Sequence, residues 1–137
     1  MATWPATLMF IFREWRFLLF GALLMFWTSP GQTFLISLFG DVLRNQFNLS
    51  HGYFGTIYTA ATLASATCLW RAGKWVDQIR LAPFAWWTSA SMAVGTIAFC
   101  LVKGPVTLFF GIFIVRFLGQ GMMAHIAITA MARRYIR

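Results

Sequence analysis

Apolar residues along the chain gather into four long stretches, and short polar segments separate them. The stretches are residues 17–39, 53–70, 82–102 and 107–132. A helix needs about 20 mainly apolar residues to cross a hydrocarbon core of about 30 Å. The pattern therefore predicts an all-α membrane protein with four transmembrane helices, spans one to four in chain order.

The polar segments between the spans complete the predicted organisation. They are residues 1–16, 40–52, 71–81, 103–106 and 133–137. The first of them is not a secretory signal, because it lacks a basic start and the apolar run that follows has no small-residue cleavage site. Two alternatives stay open for residues 8–15: a helix lying along the membrane surface, or a frayed tail.

The orientation follows from the positions of the cations. Two of them, Arg44 and Lys103, lie in the loops on one side of the predicted membrane. Eight lie on the other side: Arg13, Arg16, Arg71, Lys74, Arg80, Arg133, Arg134 and Arg137. Because cytoplasmic loops carry an excess of Lys and Arg, both termini and the loop 71–81 are expected inside. The loops 40–52 and 103–106 are then outer loops.

The composition supports a membrane location. Of the 137 residues, 60% are hydrophobic and 10% are charged, with a mean hydropathy of +0.71. A soluble domain is about one quarter charged, so this chain has too little polar surface to cover itself in water. The net charge of +8 does not indicate nucleic acid, because the cations lie at the ends of apolar runs and form no basic helix. We expect an integral protein of a plasma membrane, the inner membrane of a bacterium.

Candidate chemistry in the polar and sulfur-containing side chains is sparse. Cys68 and Cys100 lie inside apolar runs without a C-x-x-C spacing, and His51 and His125 are far apart. No metal site, disulfide framework or cofactor is therefore expected. An enzyme is not expected either, since no nucleophile, base and orienting group converge in the sequence.

Arg116 is the one charged residue inside a predicted span. It lies roughly 13 Å from the outer end of span four at about 1.5 Å per residue, and Gln120 and Met123 share its helix face. An arginine at that depth costs on the order of 2.5–3.5 kcal/mol, so it should face protein or water. Either it contacts an anionic substrate or a charge partner, or it is a structural residue bonded to helix carbonyls. No acidic residue lies within the spans to pair with it.

Other polar residues in the spans allow two interpretations each. In span one, Pro30 and Gly31 predict a bend. Ser29, Thr33 and Ser37 share one face with Gln32 beside it, and this face serves helix packing or substrate contact. His125, on the opposite face from Arg116, either exchanges protons or bonds a neighbouring helix. In span two, small residues predict tight packing. Tyr58 either reaches a pathway or, as is more typical of a tyrosine near the outer interface, anchors the helix there.

The inner loop contains a motif that topology alone does not explain. It reads R-A-G-K-W-V-D-Q-I-R from residue 71, with Gly73 and Asp77 four positions apart. This spacing resembles the loop between the second and third helices of the major facilitator superfamily, G-x-x-x-D-(R/K)-x-G-(R/K)-(R/K). Gln78 replaces the first basic residue of that pattern, and Arg80 stands where its second glycine is expected.

Span four carries a second resemblance to the same family. Arg116, Gly119 and Gly121 in R-F-L-G-Q-G resemble the arginine and closely spaced glycines of its fourth helix. The resemblance implies the first four helices of a secondary transporter that moves a small solute by alternating access. It also implies that Asp77 pairs with Arg133 or Arg134 and that Gly73 permits close helix packing. Further helices of a longer chain, or a second copy, would complete the pathway.

Candidate pathway residues are Gln32, Arg116 and Gln120, which lie near the predicted midplane. The alternative is a complete four-helix protein that oligomerises, either an exporter like the small multidrug resistance family or a non-transporting membrane subunit. The small multidrug resistance family relies on a glutamate within its first helix. The only glutamate here is Glu14, which lies before the first span.

Overall fold

The computed structural model describes residues 4–76 and 78–135, and this part of the chain is helical without a strand. The elements are α1 (Trp4–Trp27), a 3-10 turn (Ser29–Gly31), α2 (Thr33–Leu38), α3 (Gly40–Gln46), α4 (His51–Val76), α5 (Leu81–Cys100), α6 (Pro105–Val115), a π-helix (Arg116–Met123) and α7 (Ala124–Tyr135). The predicted all-α class is thereby confirmed.

The first helix begins earlier than the apolar pattern predicts. Residues 8–15 belong to α1, which runs without interruption to Trp27. They are helical and continuous with the rest of α1, which differs from a frayed tail, and their location at a membrane surface stays a prediction. Pro5 lies in the first turn, where a missing backbone N–H removes no helical hydrogen bond.

The predicted interruption of span one at Pro30 and Gly31 is confirmed. Helix α1 ends at Trp27, the 3-10 turn follows, and the helix resumes as α2 at Thr33. The Thr28 hydroxyl donates to the Met25 carbonyl oxygen at 2.7 Å. This hydrogen bond satisfies one of the carbonyl groups in the last turn of α1. The predicted outer loop, residues 40–52, contains the short helix α3, where Asp41 in the first turn pairs with Arg44 in the last.

Helices α6 and α7 and the π-helix between them form one continuous helix, Pro105–Tyr135, which we call the central helix. It spans 31 residues with a mean hydropathy of 1.7. Within the described ranges it alone has the length and composition to cross a membrane. The core helix of a soluble protein has the same properties, so the four spans remain a prediction.

The central helix supplies most of the core. Helices α4 and α5 pack against α6, the 3-10 turn packs against the π-helix, and α1 packs against α7. Its fully buried side chains are Leu108, Ile112, Val115, Met123 and Ile126. Of the polar side chains on this helix, Arg116 is buried in the interior of the bundle.

Two of the predicted inner cations, Arg133 and Arg134, join separate elements at one end of the bundle. Arg134 Nη2 lies 2.9 Å from Glu14 Oε2, which joins the end of α7 to the first half of α1. Arg133 donates to the carbonyl oxygens of Val76 and Ile79 at 3.1 and 3.3 Å. The end of α7, the first half of α1 and the α4–α5 connection thus lie together, and their orientation in a membrane stays a prediction.

Candidate functional site

Arg116 lies at the first position of the π-helix and is 8% exposed. Its Nη1 atom donates to Thr33 Oγ1 at 3.0 Å and to the Tyr58 hydroxyl at 2.9 Å. The Tyr58 hydroxyl in turn donates to Thr33 Oγ1 at 3.1 Å. These three bonds, which we call the Arg116 triangle, join the central helix to α2 and α4.

The positive charge of Arg116 has no carboxylate partner among the described residues. Glu14 pairs with Arg134, and Asp41 pairs with Arg44. Arg116 is surrounded instead by neutral groups, with its Cζ atom 5.1 Å from the centroid of the Tyr58 ring. Hydroxyl dipoles and the ring face stabilise a cation without neutralising it. The site therefore retains a net positive charge.

A cavity of about 340 Å³ opens between α4 and the π-helix, beside Arg116; we call it the Arg116 cavity. Its lining includes Thr62, Ser65 and Leu69 from α4, with Arg116, Phe117 and Gln120 from the π-helix. Ser65 donates to the Thr62 carbonyl oxygen at 2.8 Å. The Thr62 hydroxyl oxygen is buried and has no hydrogen-bond partner in the described structure. Arg116 and Thr62, the residue with the buried and unsatisfied hydroxyl, thus line the same cavity.

Two glycines allow the bend of the first helix to touch the backbone of the π-helix. A Cβ added to Gly31 would overlap the Val115 carbonyl oxygen and lie 2.9 Å from the Gln120 backbone nitrogen. A Cβ added to Gly119 would lie 3.0 Å from the Thr28 carbonyl oxygen and 3.1 Å from Gly31 Cα. Arg116 lies at the start of this π-helix, where the regular α-helical geometry of the central helix is interrupted. Such π-helical turns widen a helix and frequently occur at functional sites.

The structure brings only some of the predicted pathway residues together. Gln120 is exposed and lines the Arg116 cavity, whereas Met123 is fully buried. Gln32 donates from Nε2 to Thr28 Oγ1 at 3.1 Å and does not line that cavity. Gln32 is therefore tied to the bend of the first helix.

The polar stripe of span one is divided in the same way. Ser29 and Ser37 donate to the carbonyl oxygens of Phe26 and Phe34 in their own segment, at 2.6 and 3.0 Å. Only Thr33 reaches across to the Arg116 triangle. Hydroxyls bonded to carbonyls three residues earlier serve local structure.

The inner-loop motif is described in part. Asp77 lies outside the described residues, and Arg80 is exposed at the N-cap position of α5. A Cβ on Gly73 would meet His125 Nε2 at 3.7 Å, which is an ordinary contact. An alanine fits at that position, so close helix packing does not require Gly73 to be glycine. His125 is half-buried and faces the end of α4 here.

Gly121 differs from Gly119 in what it approaches. A Cβ on Gly121 would lie 3.1 Å from Leu69 Cδ1, the end of a flexible side chain. Gly119 faces backbone, which cannot move away. Of the two predicted glycines in the fourth span, Gly119 is therefore the one that close packing demands.

For Tyr58, the role most typical of its position in the sequence differs from its role in the structure. A tyrosine in the outer part of span two is typical of an interface anchor, but here its hydroxyl bonds Arg116. That pairing depends on the register between two helices distant in sequence. No local pattern around Tyr58 indicates it.

Comparison of the chain with protein-family models, with curated proteins and with solved structures finds no match. The chemistry of the site is therefore inferred from the geometry of its own residues. A buried guanidinium and an unsatisfied hydroxyl beside a cavity are donors that can hold an oxyanion.

Proposed function

We propose that the chain forms the membrane-embedded first part of a secondary transporter of the major facilitator type, which moves a small solute by alternating access. The observation that carries the proposal is the placement of Arg116: buried, without a carboxylate partner in the described residues, and beside a cavity. Ionisable residues at membrane depth commonly mark substrate or ion pathways.

Apolar side chains on the outside of the bundle support a lipid environment. Phe26 of α1 is 72% exposed, and Trp86 and Val94 of α5 are 76% and 67% exposed. Large side chains of this kind are exposed on every long helix of the described structure. Exposure of so many large apolar side chains is unfavourable in water and favourable against lipid tails.

The depth of Arg116 supports a pathway near the middle of the bilayer. It lies eleven residues after Pro105 in the central helix, a rise of about 16 Å at 1.5 Å per residue. This distance is about half of a hydrocarbon core of about 30 Å. Secondary transporters bind their substrates near the midplane, at helices with interrupted regular structure. The bend at Ser29–Gly31 and the π-helix are two such interruptions in contact.

Glu14 favours the facilitator interpretation over a small-multidrug-resistance-like exporter. That alternative needs a membrane-buried glutamate in the first helix. Glu14 lies within α1 and its side chain is 17% exposed, but it bonds Arg134 at the end of the bundle that also holds the end of α7. A carboxylate neutralised by a terminal arginine is poorly placed to bind cargo at the midplane. A non-transporting subunit remains the second alternative, and flux separates it from a transporter.

The proposal is tested by flux through proteoliposomes that contain the complete translation product. Vesicles are loaded with a mixture of small metabolites, and the retained solutes are compared by mass spectrometry. We expect the wild-type protein to release at least one solute that empty vesicles and vesicles with Arg116→Gln retain. Identical retention in all three samples contradicts the proposal.

A further inference from the structure

We infer that the Arg116 cavity binds a small monocarboxylate with an apolar body, and that Arg116 and Thr62 together hold its carboxylate. The inference rests on the proposed function, since it names the class of solute that the pathway accepts. Three features of the cavity carry it: its charge, its unsatisfied hydroxyl and its apolar wall.

The charge of the cavity selects a monoanion. Arg116 contributes one positive charge, and both described carboxylates are engaged by other arginines. Nη1 makes both of the hydrogen bonds that Arg116 contributes to the triangle, so the Nη2–Nε edge is uncommitted within the described residues. Two parallel N–H groups along that edge match the two oxygens of a carboxylate. One bound carboxylate would leave the buried site neutral.

Thr62 is the unsatisfied donor beside this charge. On the same helix, the hydroxyls of Thr56 and Thr67 donate to the carbonyl oxygens of Gly52 and Leu63, four residues earlier. Thr62 makes no such bond, although its hydroxyl oxygen is buried. A buried polar group without a partner is costly. Thr62 lines the cavity, and a χ1 rotation that brought its hydroxyl to the cavity surface would let a carboxylate oxygen accept its hydrogen bond.

The remaining wall of the cavity favours an apolar body on the ligand. Ala66, Leu69 and Phe117 line it beside the polar groups. A volume of about 340 Å³ lies at the lower end of small-molecule sites and suits a ligand with few heavy atoms. A fully polar anion such as inorganic phosphate would lose hydration against this wall without enough donors to replace it.

Benzoate is a suitable probe, because it joins one carboxylate to a compact apolar ring. Its binding to the purified chain in detergent micelles is measured by calorimetric titration at neutral pH, with the heat of protein-free micelles subtracted. Benzyl alcohol tests the need for the charge, and inorganic phosphate tests the need for the apolar body. We expect saturable binding of benzoate only.

Two variants and a matched control locate the binding. Arg116→Gln should weaken benzoate binding by about a hundredfold, and Thr62→Val by about tenfold or more, the value of a hydrogen bond to a charged group. The control is Thr67→Val on the same helix, whose exposed hydroxyl is bonded to Leu63. It should bind benzoate like the wild type.

Thr62→Val also keeps the test decisive if Arg116→Gln does not fold. The wild-type hydroxyl has no partner, so the variant should have an equal or higher thermal midpoint while binding more weakly. A residue with a merely structural role would not show this combination. Absence of benzoate binding, or equal affinity in Thr62→Val and Thr67→Val, overturns the inference.

Flux measured separately distinguishes the inference from the proposed function. Benzoate binding that depends on Arg116 and Thr62, without flux of any solute, supports the binding site and contradicts transport. Flux of another solute without benzoate binding supports transport and overturns the monocarboxylate.

Discussion

Gly31 packs directly against the backbone of Val115, so closely that a Cβ on Gly31 would overlap the Val115 carbonyl oxygen. The contact joins the bend of the first helix to the last residue before the π-helix. Arg116 follows at once, so the position of the guanidinium depends on this approach. Glycine is needed at position 31 because the Val115 backbone, unlike the end of a side chain, cannot move to make room for a Cβ.

Gly31→Ala should therefore destabilise the fold. Overpacking against backbone costs about 1–3 kcal/mol. The free energy of unfolding can be measured by SDS titration of the protein in micelles. The control is Gly55→Ala in α4, where an added Cβ has no heavy atom within 4 Å. That variant should be neutral or stabilising by about 0.5–1 kcal/mol. Equal stabilities of the two variants would show that the first helix does not touch the π-helix in this way.

The Arg116 triangle leads to a second prediction. Tyr58→Phe removes an acceptor from a buried cation and should lower the free energy of unfolding by about 1–3 kcal/mol. Tyr53→Phe is the control, because the Tyr53 side chain is exposed and its loss should change stability by less than about 0.5 kcal/mol.

Thr33 should be coupled to Tyr58. Both hydroxyls accept from Arg116 Nη1, and they bond each other. The double variant Tyr58→Phe/Thr33→Val should depart from additivity by about 0.5 kcal/mol or more in a double-mutant cycle. Simple additivity would mean that the three residues do not act as one network.

Much of the fold follows from the sequence, because single segments determine it. Helical content follows from apolar runs longer than strands, and the interruption of the first helix follows from Pro30, which lacks an N–H. The position of Arg133 and Arg134 beside α1 and the α4–α5 connection follows from the order of the segments along the chain. Each of these features depends on local chemistry.

The site is harder to predict, because it depends on how distant segments align. Arg116 stands out as a charge in an apolar run, but its bonds to Thr33 and Tyr58 span 83 and 58 residues. The π-helix begins directly after Val115, whose carbonyl oxygen contacts Gly31. No sequence feature of residues 116–123 predicts that contact. Helix α3 and the early start of α1 also lie in segments whose composition suits a loop as well as a helix.

Glu14 provides a fourth prediction, which separates the two kinds of transporter. The Glu14 side chain is 17% accessible, and that of its partner Arg134 is 54% accessible. Glutamine keeps the size of the side chain and one acceptor, and Arg134 can turn to water, so Glu14→Gln should cost about 1–2 kcal/mol of stability and should leave solute flux through proteoliposomes unchanged. Arg116→Gln in the same assay should lose that flux. Loss of flux in Glu14→Gln with retention in Arg116→Gln would favour the exporter with an essential glutamate.

The most direct test of a solute pathway at membrane depth is the reactivity of two engineered cysteines. Gln120 is the midpoint of the central helix and lines the Arg116 cavity, whereas Val94 of α5 is exposed on the outside of the bundle. Gln120→Cys and Val94→Cys are each made in a Cys68→Ser/Cys100→Ser background and treated with a charged, membrane-impermeant thiol reagent.

The two thiols should react differently in native membranes. A cysteine in a water-filled pathway ionises and reacts, while one in hydrocarbon stays protonated and inaccessible to a charged reagent. We expect Gln120→Cys to be labelled and Val94→Cys to be labelled only after the membrane is dissolved in a denaturant. Labelling of both in intact membranes would contradict a membrane-embedded bundle, and labelling of neither would contradict an aqueous pathway at Arg116.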